Sequence, residues 1–223
     1  MKPFARAAVA GCAAVLTVAL IVSAAQAGLA NAAARELSNE IGGWTPAGPR
    51  ADTSAALRGE LGRIAARAPD RAYVVEMIGI AAARDRADPQ ALDEALARFS
   101  EALIERPVSA YTWANVVHAS YELGHTGAAF QLAFRHAAQM GPWEPQVQNT
   151  LVSYGLAVRD EVTPQARAVI DQVVADAMRR NPLETLQIAA RRGRLDVACR
   201  GVVNPASDTT RRYLMCEQRE KNS

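Results

Sequence analysis

His118 and Glu122 stand four residues apart in "VVHASYEL", so a helix would put a ring nitrogen and a carboxylate on one face, two candidate ligands for a metal ion. A metal site needs a third ligand at a readable spacing, and none is found. His125 follows Gly124 in a predicted turn, and His136 is expected on a helix surface or at a junction between helices. The cysteines, Cys12, Cys199 and Cys216, form no Cys-x-x-Cys or Cys/His set. Acidic neighbours such as Asp93–Glu94 and Asp160–Glu161 diverge on a helix or in a turn. There is no Gly-x-Ser-x-Gly elbow and no phosphate-cradling glycine loop. The pattern predicts no cofactor, no metal and no enzyme. The alternative kept open is an envelope hydrolase or lyase acting on glycans, whose acid and base would meet only in space.

What must position such residues follows from composition. Half of the 223 residues are apolar, aromatics are only 5%, and alanine is abundant. Small side chains filling an interior predict closely packed helices. The net charge of +2 is nearly neutral, and the arginines are interleaved with Asp and Glu. That reads as a mixed solvated surface and predicts no nucleic-acid partner.

The N-terminus is a targeting segment, residues 1–30. Lys2 and Arg6 precede "AAVAGCAAVLTVALIVSAAQA", and no charge follows until Arg35. Ala25-Gln26-Ala27 makes a cleavage site for an export signal, and the run from Ala7 to Ala25 is also long enough to span a bilayer uncleaved. Either way, Lys2 and Arg6 hold the start of the chain in the cytoplasm and send the rest outside it. "VAGC" ending at Cys12 is a third, lipoprotein-like reading, but most of the apolar run follows the cysteine instead of preceding it. Export also lets Cys199 and Cys216 join in an oxidising compartment. Residues 31–53, with Gly42-Gly43 and two prolines, are expected to form a linker, in which Trp44 stands out.

From Ser54 onward the spacing is helical. Leu57, Leu61, Ile64, Ala65 and Ala68 share a face behind Ser54 as N-cap, and Asp70 caps the next helix. Asp88 and Pro89 open a third, with Leu92, Ala95, Leu96, Phe99, Ala102 and Leu103 inward. Gly124 stops a helix that begins near Ala110, and Phe130, Ala133, Phe134 and Ala137 line the one after it. Helices follow over 146–159, over 165–180 behind Thr163-Pro164, and over 183–192 behind Asn181-Pro182. Prolines at 69, 107, 142 and 182 recur at 38, 35 and 40 residues, with two helices between each pair. That period marks an α-solenoid.

"AYTWANVVHASYELGHTGAAFQLAFRHAAQMGP" resembles the tetratricopeptide repeat. Counting from Ala110, Trp113, Val116, Ala119, Gly124 and Ala129 match its positions 4, 7, 10, 15 and 20, and Pro142 falls one place late. In the preceding unit Ile78, Gly79 and Ala81 match 7, 8 and 10. After an insertion, Ala95, Phe99, Ala102 and Pro107 match 20, 24, 27 and 32. Val117 at position 8 and His136 at 27 depart from the pattern. The resemblance implies an all-α fold of antiparallel helix pairs over residues 54–198, a short right-handed solenoid; the tail over 199–223, with its apolar "YLM" before Cys216, is expected to cap the stack, tied by the Cys199–Cys216 bond that export permits.

The same resemblance implies a concave face lined by the first helix of each pair. The residues carried onto it are Tyr111, Ala114, Asn115, His118, Tyr121 and Glu122, with Tyr73, Met77 and Ile80 before them and Asn149 and Ser153 after. Asn115 stands where peptide-binding repeats place an amide for an extended ligand's backbone. Trp143, in "GPWEP", is expected to plug a junction. The stretches "RPVSAYTWANV", "MGPWEPQVQ" and "RRGRLDVACR" are also similar to small repeat proteins encoded beside bacterial surface-polysaccharide assembly systems. The expectation is a non-enzymatic adaptor, exported and tethered to the inner membrane or cleaved after Ala27 and periplasmic, which docks a protein of the cell envelope.

Overall fold

Among the described residues of the computed structural model, 3–42, 51–85, 88 and 90–200, the chain forms ten helices and no strand. They fall into two units, residues 1–98 and 99–223.

The first unit begins with α1 (Pro3–Gly42), whose Val15–Ile41 stretch is long and apolar enough to cross a membrane. Its character changes along its length. Val15, Leu16, Val18, Leu20, Ile21 and Val22 are exposed all round, whereas Ala27, Ala30, Ala34, Leu37 and Ile41 turn to one covered face. That face lies on α2 (Ala51–Ala65) and α3 (Arg71–Ala83). Residues 31–42, expected in a linker, therefore continue the helix. Their small and aliphatic residues at three- and four-residue steps bury a stripe, which a linker has no reason to carry. The Arg84 guanidinium donates to the Ile41 carbonyl and satisfies one of the last groups of α1. Trp44 lies outside the described residues.

Two caps differ from expectation. Ser54 sits inside α2, one turn from its start, buried and accepting from Arg58 Nη1 at 2.9 Å. Asp88 accepts the Gln90 N–H at 2.9 Å in a tight turn, and α4 (Ala91–Glu105) starts two residues later than Pro89. Asp70 does cap α3, taking the Tyr73 N–H at 3.0 Å. Arg58 faces three carboxylates, Asp85 at 3.0 Å, Asp88 at 3.4 Å and Glu94 at 3.3 Å. One cation among three nearby anions ties α2 to the segment that leads into α4.

In the second unit, Phe99 and Ala102 of α4 are buried, and Ser109 caps α5 (Ala110–Glu122) by accepting the Thr112 N–H. Gly124, at φ 73°, ends α5 in a Schellman turn: its own N–H reaches the Tyr121 carbonyl and the His125 N–H reaches that of Ser120, both at 2.8 Å. Then come α6 (Ala128–Met140), α7 (Pro145–Val158), α8 (Pro164–Arg180), α9 (Pro182–Arg191) and α10 (Leu195–Arg200). Gly193, at φ 66°, repeats the same turn between α9 and α10. Thr163 caps α8 through the Ala166 N–H at 3.3 Å, whereas the Asn181 side chain makes no such bond at α9. The two threonine- or asparagine-proline starts thus share the proline but not the cap.

Packing follows the hairpin order. α5 lies against α6 and α7, α7 against α8 and α9, α6 against α8, and α10 against both α8 and α9. Within this unit α5, α7 and α9 make one layer and α6, α8 and α10 the other. Close approach needs missing side-chain atoms: a Cβ on Gly155 would stand 2.9 Å from the Phe134 ring, and one on Gly141 2.6 Å from the Ala110 Cβ. Ala119, Ala133, Ala137 and Ala189 are buried as helix contacts require. Ala129, expected at such a contact, is exposed, and Phe130 is buried in its place. The α5–α6 connection is one residue longer than the assumed spacing, which rotates α6 by one position and also makes Pro142 late.

Candidate functional site

Within the second unit, α5, α7 and α9 bring one polar and aromatic cluster together. The helical step aligns Asn115, His118 and Glu122 on α5, with Tyr121 beside them. From α7, Tyr154 reaches between two of these. Its hydroxyl bonds His118 Nδ1 and lies 3.3 Å from Glu122 Oε1. One hydroxyl carries one proton, so with that proton given to Glu122 the His118 ring donates from Nδ1. The Tyr121 and Tyr154 rings are tilted, 4.8 Å between centroids. Arg192, the residue that closes α9, sets its guanidinium 5.5 Å from the Tyr121 ring and 5.2 Å from that of Tyr154. It also donates to Ser153 Oγ from Nε at 3.1 Å and Nη2 at 2.8 Å.

The electrostatics follow from burial. The Tyr154 hydroxyl is pushed up to about 12, first by desolvation and then by the Glu122 carboxylate, with Arg192 opposing. It is thus a neutral donor at any physiological pH. Toward the start of the helices, Tyr111 donates to Glu144 Oε2 at 2.5 Å, and that bond raises its own pKa. One arginine cation, tyrosine hydroxyls and a carboxylate on neighbouring helices can hydrogen-bond a backbone or stack on an aromatic side chain.

The expected residues divide. His118, Tyr121 and Glu122 converge, and Ser153 joins them through Arg192. Asn115 and Asn149 are half-buried on the same two helices. Tyr111 sits further along, exposed and bonded to Glu144. Met77 is only 9% exposed and Ala114 only 4%, so both belong to packing and not to a docking surface. Both were carried over by repeat position, and in this chain those positions face the core. Tyr73 and Ile80 are half-buried in α3, in the first unit.

His118 spends Nδ1 on Tyr154, and among the described residues no three His, Cys, Asp or Glu side chains gather as a metal would require. His136 stacks on Trp113, ring centroids 4.7 Å apart, inside the α5–α6 hairpin. His125 is exposed in its turn. Cys199 is disulfide-bonded, and Cys216, its expected partner, lies outside the described residues. Trp143 plugs nothing: it is 74% exposed, with the Arg180 guanidinium 3.7 Å over its ring. The Ala110 and Val147 side chains already close on Gly141 there, and the indole stays outside.

Two members of the cluster escape a sequence reading. Tyr154 is adjacent to Ser153, which the register does single out, so a one-residue tolerance would have found it. Arg192 stands among Arg191 and Arg194, and only the Schellman turn at Gly193 selects which of the three points back at α7. No family model matches the chain, and no curated protein or solved structure is significantly similar to it.

Proposed function

We propose that the protein is a non-enzymatic adaptor of the bacterial cell envelope. In this reading a tetratricopeptide-like stack docks an extended segment of a partner protein on the α5–α7–α9 face, and α1 holds it at the inner membrane. The observation that carries it is the convergence of His118, Tyr121, Glu122, Tyr154 and Arg192 from three successive hairpins. Independent support comes from packing. Helices pair as hairpins that add side by side, and Phe130, Phe134 and Ala137 bury where a repeat advanced by one residue needs positions 20, 24 and 27. Phe130 is large where that repeat is small. Gly155 stands opposite the Phe134 ring and leaves it room.

The mode of recognition follows from the groups present. Asn115 supplies an amide for an extended backbone, the tyrosines supply flat apolar area with a polar tip, and Arg192 supplies a cation for carbonyls or a carboxylate. Such a face gains affinity by breadth, with a few aromatic and arginine anchors dominating. The setting, assembly or export of a surface polysaccharide, is drawn from sequence resemblance alone.

The test is crosslinking and affinity capture from envelope membranes with the full chain, native against Tyr121→Ala and Asn115→Ala. The reading expects a discrete partner protein with the native chain and its loss with both variants at unchanged helix content. A partner retained by both variants would remove this face from the interaction.

A further inference from the structure

The second unit has two unlike ends. The connections α5–α6, α7–α8 and α9–α10 meet at one, and it is charged: Arg159 holds Asp171 at 2.6 and 2.7 Å, and Arg194 reaches Asp160 at 2.9 Å. The connections α4–α5, α6–α7 and α8–α9 meet at the other. Tyr111 bonds Glu144 across the first two, and Arg180 binds the Pro142 carbonyl and covers one face of Trp143 across the last two. Among the described residues, this end carries most of the unit's exposed large apolar side chains: Ile104 at 83%, Val108 at 77%, Trp143 at 74%, and less fully Met140 and Leu183.

We propose that this loop end rests in the interfacial layer of a lipid bilayer, with Trp143 and Val108 entering deepest. The proposal rests on the reading of α1 as a retained anchor. An anchored chain keeps every other part of itself within reach of lipid, so weak apolar contacts suffice where a free domain would need strong ones. The chemistry of the end fits that layer better than a protein groove. Its apolar groups stand on separate turns and helix ends, Val108 and Trp143 in turns and Ile104, Met140 and Leu183 at helix ends. An indole with an arginine beside it and a tyrosine hydroxyl nearby is the mixture enriched at membrane–water boundaries. Arg106, Arg179 and Arg180 are offset by Glu105, Glu144 and Glu184, so the contact is apolar and not electrostatic. The α5–α7–α9 face is left free for its partner.

The full chain in phosphatidylethanolamine–phosphatidylglycerol vesicles tests this, with brominated lipid as quencher and Trp143→Phe as the blank. The difference between native and variant emission isolates one indole of three. It is expected to blue-shift, to be quenched more by bromine near the headgroups than at the bilayer centre, and to stay quenched at high salt. Val108→Asp with Leu183→Asp, both at exposed sites, is expected to cut the quenching several-fold with helix content unchanged. An unquenched difference signal in a chain that resists carbonate extraction overturns this proposal and leaves the anchor standing. Release of the chain by carbonate overturns both. A blue shift without lipid quenching, together with crosslinks from position 143 to a second copy, overturns it in favour of self-association.

Discussion

The Arg192 guanidinium lies 5.2 Å from the ring of Tyr154 and ties the end of α9 to the face of α7. The same side chain donates twice to Ser153, so it fixes the third hairpin against the second. Arg192→Ala is expected to lower stability by about 1–2 kcal/mol, the range for a partly desolvated cation–π contact with charge-assisted hydrogen bonds. Lysine cannot span the fork and should restore less than half. Denaturant unfolding reads both, and a midpoint within error of native would mean that Arg192 is a surface residue only.

Tyr154 gives a titration prediction with a definite sign. Its folded-state value is raised to about 12 above a reference of 10.0, so the folded chain holds the proton longer than the unfolded one. The contribution is intact below pH 10 and is lost as pH rises through 12. The phenolate absorbance that disappears in Tyr154→Phe should therefore emerge well above pH 10. Emergence at the ordinary value would place the hydroxyl in water.

Glycines separate tight from open positions. Gly155→Ala pushes a Cβ to 2.9 Å from Phe134 and should cost about 1–3 kcal/mol as overpacking between α6 and α7. Gly62→Ala lies inside α2 with nothing within 4 Å and should stabilise by about 0.5–1 kcal/mol through helix propensity. Thermal melts of the pair should move in opposite directions. Parallel shifts would contradict the packing described for α7.

Ala95 is fully buried on α4, and Ala95→Arg carries an unpaired charge into that contact. Loss of the cooperative melt is expected, and an unchanged curve would deny α4 its buried face.

Ala27 begins the stripe that α1 lays on α2 and α3. A helix that runs unbroken through residues 25–27 hides the extended backbone that a signal peptidase cuts, so mass spectrometry of the membrane-extracted chain should show the uncut N-terminus. A mature chain starting at Gly28 would contradict retention.

How far the sequence carried the structure depended on the kind of signal. Helices over 110–122, 128–140 and 164–180 were legible because their apolar period, a Gly124 stop and a Thr163-Pro164 start agree. Residues 31–42 were not, because alanines at three- and four-residue steps mimic a small-residue spacer until a partner surface is known. Three of the five residues of the cluster were legible. His118, Tyr121 and Glu122 follow from spacing on one helix, while Tyr154 and Arg192 join only through tertiary turns. Met77 and Ala114 were carried onto the concave face by repeat position, which does not say which side chains a neighbouring helix covers, and both are buried.

The docking claim is tested most directly by a photo-crosslinking side chain placed at 118, 121 or 149, against 135, 139 or 168 on the even-numbered helices, in cells with an intact envelope. Adducts to one envelope protein are expected from the first set, lost when Arg192→Glu is added, and none from the second. Equal adducts from both sets, or adducts from the second alone, would contradict it.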